Sequence, residues 1–381
     1  MESQSAEQGI LLESVRRVVK ERIAPRAVET DRKGVFDHET ADLFWDLGLL
    51  QIMLPEEYGG WPESPGHTLC LCIEEIAKAC ASSALMLLIQ AVGSFPLVTA
   101  GGERQKSKYL PWLSEGRTLI GYLVTEPGAG SDVAAIRTRA ERRGGKYVLS
   151  GRKTFATNGG VAGLYSVLAR TGKKDKALSF FIVERDMEGV SIGRTEEKCG
   201  FRGSNTTEVI LDEVEVPAEN LLGGEGEGFA IAMADFDMSR PAVAALALGI
   251  AQGALDLALA YAKERRTFGR RLADHQGLQF MMADAATRIE AGKGLMERAA
   301  LAFDRGQRNT GLASMAKCFC SDAAMAITTD MVQILGGYGY TREFEVERMF
   351  RDAKLTQIFE GANQIQRMII FRGMLEGAFG S

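Results

Sequence analysis

The sequence predicts an α+β fold: a helical N-terminal domain, an antiparallel β middle domain and a C-terminal helical bundle. Three observations predict it. Helical hydrophobic spacing extends to about residue 117, short β-rich runs separated by turns occupy 120–218, and helical spacing returns after the glycine-rich segment 223–228. This order differs from alternating βαβ units. We expect the domains to span 1–117, 118–225 and 226–381, since 381 residues exceed one ordinary core.

The first block follows helical spacing from its beginning. Residues 8–32 carry apolar side chains at helical intervals, including Leu11, Val15 and Val18. Further helical patterns follow at about 39–50, 67–93 and 103–115. Breaks are expected at PEEYGGWPESPG and at GSFP, because proline and glycine interrupt helices.

The middle and last blocks differ in periodicity. The β-rich runs are LIGYLVT, KYVLSGRKTFAT, YSVLAR, LSFFIV and EVILDEVEVP. In the last block, the helix predicted at 229–263 is apolar nearly all round, which is typical of a helix buried in a bundle or between subunits.

Composition narrows the function classes. A net charge of -5 argues against a general nucleic-acid-binding protein. The polar N-terminus does not resemble a signal peptide, and the apolar run Ala242–Ala251 is too short to span a membrane. We therefore expect no membrane insertion and a cytoplasmic location, with a matured organellar form as the alternative. The six cysteines and three histidines show no zinc-ligand spacing, so we expect no metal and buried, reduced thiols.

Two segments of the β block are candidate ligand contacts. The run from Tyr122 to Asp132 leads from a strand into a Pro/Gly turn with hydroxyls at Thr125 and Ser131, although a plain β-turn has the same features. On the next strand, period two places Phe155 and Thr157 on one face, where a ring and a hydroxyl suit a flat heteroaromatic ligand. An ordinary core strand shows the same alternation.

The C-terminal block adds three candidates. Arg265 to Gln276 joins cations and amides near a helix break, which suits a pyrophosphate or a solvated turn. Asp237 and Arg240 share a helix face at i, i+3, either in a site or as a surface ion pair. Glu360 lies between apolar residues and a glycine. Burial there would raise its pKa and suit a general base, but a helix-start acid is the alternative interpretation.

Together these segments resemble the acyl-CoA dehydrogenase family over essentially the whole chain. The motifs that carry the resemblance are YLVTEPGAGSD (122–132), KTFATNG (153–159), FDMSRP (236–241), RRTFG…HQ (265–276), QILGGYGYTRE (333–343) and RDAKLTQIFEGANQIQR (351–367). Six blocks in this order are far more specific than any one of them.

The resemblance implies a bound FAD and a role for each matching residue. FAD contacts are implied for Tyr122, Val124, Thr125, Gly130, Ser131, Phe155, Thr157, Arg265, Phe268, Gln276, Gln333, Gly336, Gly337 and Gln364. Contacts to an acyl-CoA substrate are implied for Ser131, Asp237, Arg240, Arg308, Gly361, Leu85 and Leu88. Glu360 matches the catalytic base, which takes the α-proton while a hydride leaves the β-carbon for the flavin.

Departures from the family pattern concern the acyl pocket. Phe155 replaces a common tryptophan, Phe359 a common tyrosine and Ala362 a common hydroxyl residue. In some branches the base precedes the helix arginine, but Ser239 occupies that position here. The apolar segment 82–93 predicts a short, branched or alicyclic acyl group.

The resemblance also implies partners and leaves alternatives open. It implies electron transfer to an electron-transfer flavoprotein and assembly as a homotetramer. An acyl-CoA oxidase or a flavin monooxygenase on the same fold would instead react with oxygen. A non-catalytic binding member of the family would not retain FAD.

Overall fold

The computed structural model describes residues 6–174 and 177–377, and its first domain is helical as predicted. The helices are α1 (Ala6–Val18), α2 (Ala24–Lys33), α3 (His38–Asp46), α4 (Pro65–Ala77), α5 (Ala81–Ala100) and α6 (Glu103–Leu113), with a π-helical turn (Val19–Ile23) joining α1 to α2. The pattern at 67–93 thus comprises two helices, α4 and α5.

The break predicted at GSFP was wrong, because α5 continues through Pro96 to Ala100. Its side chains are buried along most of its length, so tertiary packing outweighs the unfavourable effect of an internal proline. Ser94 Oγ donates to the carbonyl of Ala91, and Thr99 Oγ1 donates to that of Phe95. The helix ends where the Gly101 N–H donates to the carbonyl of Leu97.

The middle domain is an eight-stranded sheet. Its strands are β1 (Ile120–Leu123), β2 (Arg139–Arg143), β3 (Lys146–Thr157), β4 (Leu164–Arg170), β5 (Leu178–Glu184), β6 (Val190–Thr195), β7 (Thr206–Pro217) and β8 (Leu221–Leu222). The order is β6-β7-β3-β2-β4-β5-β8, with β1 on β4. Most pairs are antiparallel as predicted, but β1 runs parallel to β4, and β2 meets β4 in parallel at one residue pair. Both parallel pairs join strands that are distant in sequence. The alternation of apolar and polar residues within one strand does not reveal which other strand it pairs with.

The last domain is a helical bundle. It contains α7 (Gly228–Glu264), a short hairpin of β9 (Arg266–Thr267) and β10 (Arg270–Arg271), α8 (Gln276–Asp304), α9 (Thr310–Leu335), α10 (Val346–Thr356) and α11 (Asn363–Leu375). Helix α7 packs against α4, α5, α8, α9 and α10. The prediction of an all-round buried helix is confirmed for residues 238–255 apart from Gln252, whereas Leu259 near the end of the helix is 37% exposed.

Helices α5 and α7 are long and apolar enough to cross a membrane by length and composition, but 83% and 78% of their most apolar windows are buried inside the protein. The thiols of Cys70, Cys72, Cys80, Cys318 and Cys320 are buried as predicted, whereas Cys199 is exposed in the loop after β6. Within 6–174 and 177–377 there is no group of three or more His, Cys, Asp or Glu residues that could hold a metal ion.

Glycines on α7 allow α4 to approach its backbone. A Cβ at Gly253 would lie 2.1 Å from the carbonyl oxygen of Lys78, and one at Gly249 would lie 2.3 Å from that of Glu74. Gly253→Ala should therefore lower the free energy of unfolding by about 1–3 kcal/mol, the usual effect of overpacking, measured by denaturant titration. Gly9→Ala is the matched control, since nothing lies within 4 Å of a Cβ there. Equal stability of both variants would refute the close contact.

Candidate active site

Glu360 lies in the turn between α10 and α11, and its backbone is left-handed. The φ angle is +52° at Glu360 and +93° at Gly361. This conformation is uncommon for a residue with a side chain and persists where neighbours hold it. Gln366 Nε2 does so by donating to the carbonyl oxygens of Glu360, at 3.2 Å, and Gly361, at 2.8 Å.

The carboxylate of Glu360 contacts α7. Ser239 Oγ donates to Glu360 Oε2 at 2.9 Å, so the position that carries the base in other branches here holds a hydroxyl that orients it. Burial raises the pKa of Glu360, while the Ser239 hydrogen bond and the positive charges of Arg240 and Lys317 act to lower it. The net shift is upward, as the sequence predicted, which suits a general base working near neutral pH.

A buried lysine of α9 contacts this turn. Lys317, on α9, has no exposed surface, and its Nζ donates to the carbonyl of Gly361 at 2.8 Å and to Asn363 Oδ1 at 2.9 Å. The amide of Asn363 is held in turn by Ser321 Oγ at 2.9 Å and Asp322 Oδ1 at 2.7 Å. The turn is therefore attached to α9 through hydrogen bonds to Gly361 and Asn363.

A second buried carboxyl lies near Glu360. Both oxygens of Asp235 and the hydroxyl of Tyr122 are buried without a hydrogen-bond partner that meets ordinary geometry. Burial raises the pKa of Asp235, and the negative charge of Glu360 raises it further. Burial likewise raises the pKa of Tyr122, whose ring stacks on Phe180 with centroids 5.6 Å apart. Burial and the charge of Glu360 therefore favour the protonated form of Asp235, and Tyr122 brings β1 close to the Glu360 region.

The sheet offers an exposed aromatic ring next to a hydroxyl. Phe155 is 63% exposed and has a φ of +53°, at an irregularity in the β3–β7 register between Lys153 and Ala156. Thr157 is partly buried, while Thr154 and Ala156 are buried. The two predicted residues thus share the more open face, although a β-bulge rather than simple alternation turns Phe155 outward.

The loop after β1 is anchored by a buried ion pair. Lys153 Nζ donates to Glu126 Oε1 at 2.9 Å and to the carbonyl of Val124 at 3.0 Å, and its side chain is fully buried. Glu126 also accepts the backbone N–H groups of Arg137, at 2.6 Å, and Thr138, at 2.9 Å. Burial acts to raise the pKa of Glu126, but the Lys153 charge and these hydrogen bonds outweigh it, so the net shift is downward.

This anchoring leaves the tip of the loop accessible. Gly130 and Ser131 are exposed, and nothing lies within 4 Å of a Cβ built at Gly130. Val124 is buried, and the carbonyl of Thr125 accepts the N–H of Thr154 at 2.9 Å, which ties the loop to β3. The loop can therefore present backbone groups and hydroxyls to a ligand beside Phe155.

The predicted ion pair of α7 is formed and is largely buried. Arg240 Nη1 lies 3.3 Å from Asp237 Oδ1, and the Arg240 side chain is only 5% exposed, so a solvated surface pair was the wrong alternative. Asp237 Oδ2 also accepts a hydrogen bond from Thr310 Oγ1 at 2.5 Å. Arg308 is exposed and lies 3.4 Å from Glu376.

Most of the remaining predicted FAD contacts lie near the end of α7 and the turn after α9, whereas Gln364 lies at the start of α11, next to the Glu360 turn. Arg265 lies 5.6 Å from the ring centroid of Tyr338, which brings the end of α7 to the turn after α9. Phe268 is 96% exposed with a φ of +51°. Gln276, Gln333, Gly336, Gly337 and Gln364 are also exposed.

Two of the predicted substrate contacts, Leu85 and Leu88, are core residues in this structure. Leu85 is 2% exposed and Leu88 has no exposed surface, because α5 is covered by α4, α7 and the sheet. An accessible pocket wall needs exposed atoms, so α5 does not present Leu88 to a ligand in this conformation. Their contact with an acyl group stays a prediction.

Lys317 and Asp235 were not identified as site residues from the sequence. Ser239 was noted only because it stands where some branches of the family carry the base. A signal was available for Lys317, since it lies within the apolar segment Ala313 to Ala324. A charged residue in such a segment is rarely fully buried unless it has partners. The sequence alone does not identify those partners.

The residues fit the FAD that the resemblance implies. An exposed ring at Phe155, a hydroxyl at Thr157 and an unobstructed glycine loop suit the face and edges of an isoalloxazine. When bound, FAD supplies the hydride acceptor. Hydrogen bonds from Ser239, Gln366 and Lys317 hold the Glu360 carboxyl group and the backbone of its turn.

Comparisons with known proteins identify the family of the chain. The chain matches the N-terminal, middle and C-terminal domains of acyl-CoA dehydrogenase over residues 5–117, 121–214 and 226–375. It is 56% identical to cyclohexane-1-carbonyl-CoA dehydrogenase of Geobacter metallireducens over 98% of this chain and 99% of that one.

Two solved structures share the fold over nearly the whole chain. The structure of butyryl-CoA dehydrogenase from Megasphaera elsdenii has a TM-score of 0.95 at 39% identity, covering 98% of this chain and 99% of that one. A chain in a structure described as the electron transferring flavoprotein of Acidaminococcus fermentans has a TM-score of 0.95 at 42% identity, with the same coverage. The chain therefore belongs to the acyl-CoA dehydrogenase family and is an FAD-dependent enzyme.

Proposed function

We propose that this enzyme oxidises the α,β carbon–carbon bond of an alicyclic acyl-CoA, with cyclohexane-1-carbonyl-CoA as the first candidate, and that Glu360 is its base. The observation that carries the proposal is the partly buried Glu360 carboxylate, which accepts a hydrogen bond from Ser239 at 2.9 Å. The acyl group is suggested by the 56% identical relative.

The proposed roles follow from the geometry. Glu360 takes the α-proton on a carboxylate oxygen, while Ser239 keeps the other oxygen in place. The backbone N–H of Glu360 binds the thioester carbonyl and stabilises its developing negative charge. Because α-proton and β-hydride leave together, the rate depends on how accurately these groups are positioned.

We assign the remaining contacts by position. The loop from Tyr122 to Ser131 and the Phe155–Thr157 segment hold the isoalloxazine. The exposed group from Arg265 to Gln276, with 333–337 and Gln364, binds the rest of FAD. Asp237, Arg240 and Arg308 lie along the CoA arm. The proposed domains remain 1–117, 118–225 and 226–381, close to the three matched family regions.

We further propose an electron-transfer flavoprotein as acceptor, a homotetramer and a cytoplasmic location. The A. fermentans structure supports the acceptor. The exposed ring of Phe268 and the apolar residues Phe371, Met374 and Leu375 on α11 support burial of the bundle in an assembly.

The substrate is tested by anaerobic titration of the FAD enzyme with a panel of acyl-CoAs. Cyclohexane-1-carbonyl-CoA should bleach the flavin absorbance fastest, with butyryl-CoA slower by about tenfold or more, because one or two missing apolar contacts typically change discrimination by that amount. A long-chain optimum would reject the alicyclic assignment.

The same preparation distinguishes the alternatives. An electron-transfer flavoprotein should support turnover, whereas oxygen consumption without another acceptor would indicate an oxidase or a monooxygenase. A purified protein that does not bind FAD would indicate a non-catalytic member.

A further inference from the structure

Lys317 is a fully buried lysine of α9 that contacts the Glu360–Gly361 turn. Its Nζ donates to the carbonyl of Gly361, the residue after the proposed base, at 2.8 Å. A buried ammonium is unfavourable unless charge and hydrogen bonds compensate it. The two oxygens that accept hydrogen bonds from it are neutral, the carbonyl of Gly361 and the amide of Asn363. The nearby negative charge that compensates it most is Glu360.

We propose that Lys317 is a positioning residue for α-proton abstraction: it fixes the left-handed Glu360–Gly361 turn and supplies a buried positive charge that keeps the Glu360 carboxylate ionised. The inference rests on the proposed function of Glu360. It adds a role for a side chain that does not touch the reacting atoms.

The hydrogen bonds around Lys317 support the positioning role. Asn363 links it to Ser321 and Asp322 on α9, and Asp322 is paired with Arg367 at 2.6 Å. Gln366 contacts the same carbonyl of Gly361 from α11. Because α9 and α11 converge on one carbonyl oxygen, the turn cannot rotate without breaking both contacts.

The charges facing this pair come from several elements. Arg240 on α7 faces both Glu360 and Lys317, while Cys318 and Asp322 on α9 face Lys317. Asp235 on α7 and Tyr122 on β1 interact with Glu360, and burial raises the pKa of both groups. The fixed positive charge of Arg240 is therefore supplemented by one titratable ammonium.

The sign of the effect follows from the two pKa shifts. Burial lowers the pKa of Lys317 to about 7, against the opposing charge of Glu360. Below that pH Lys317 is charged and lowers the pKa of Glu360, so the base remains ionised further into acid. Above that pH Lys317 loses its charge, but the ionisation of Glu360 no longer depends on that charge. The two groups titrate as a coupled pair.

The test measures the limiting rate of flavin reduction against pH in single turnover. Lys317→Met should move the acid limb of the pH–rate profile upward by less than about one pH unit, since a directly paired charge shifts a carboxyl pKa by about 1–3 units and Lys317 affects Glu360 less than Arg240 does. Above about pH 8 the rates of the variant and the wild type should become similar. The difference that remains should be the loss of rate caused by a less rigid turn. Lys293→Met, which removes a partly buried lysine of α8, should leave the limb unchanged.

Lys317→Gln separates charge from hydrogen bonding. It restores a neutral donor, so it should recover rate at high pH while keeping the shifted acid limb. An unshifted limb in both variants, with lower rates at every pH, would overturn the electrostatic role. If Lys317→Met fails to retain FAD, Lys317→Gln carries the test. Failure of the wild type to reduce its flavin with any acyl-CoA would instead refute the proposed function.

Discussion

Glu360→Gln is expected to abolish nearly all flavin reduction by substrate, by a factor of about 10³–10⁴ at neutral pH, the upper range for general-base catalysis. The amide has the size of the carboxyl and can still accept the hydrogen bond that Ser239 donates at 2.9 Å. It cannot accept the α-proton. The rate of flavin bleaching in stopped flow, with FAD content and CoA-product binding measured beside it, gives the result.

The control for this variant is Glu343→Gln, which changes an exposed carboxyl in the turn before α10 and should keep the wild-type rate. Both variants should retain FAD. If Glu360→Gln bleaches its flavin at the wild-type rate, the base is another group. Asp235, the other buried carboxyl near Glu360, would then be the first to replace.

Features set by local spacing could be predicted from the sequence. The i, i+3 spacing of Asp237 and Arg240 places both on one helix face, and the structure joins them at 3.3 Å. Apolar neighbours of Glu360 predicted its burial and its raised pKa. Continuous apolar character predicted the burial of α7. Each of these inferences depends on neighbouring positions along one segment, where backbone geometry fixes which side chains meet.

Features set by contacts between distant segments could not be predicted. Lys317 is 44 residues from Gly361, and no periodicity relates α9 to that turn. The parallel pairing of β1 with β4 joins strands separated by two others. Pro96 stays within α5 because neighbouring helices bury it, which overrides its local preference. Tertiary packing decided all three cases.

Lys153→Met is expected to lower the free energy of unfolding by about 3–5 kcal/mol, because it leaves Glu126 buried without its cation. Lys153 has no exposed surface, and the Glu126 side chain is 7% exposed. The pair also holds the loop that the proposed function assigns to the isoalloxazine. FAD should therefore be lost more readily, measured as flavin released during denaturant titration.

Two further variants show whether the unpaired charge causes this loss. Lys146→Met, on the same strand, removes an exposed partner of Glu215 and should change stability by less than about 1 kcal/mol, as exposed ion pairs do. Lys153→Met combined with Glu126→Gln should recover part of the loss, since a neutral amide is less unfavourable in a buried site than a carboxylate. If the double variant is no more stable than Lys153→Met, lost packing around the lysine stem, rather than charge, holds this loop in place.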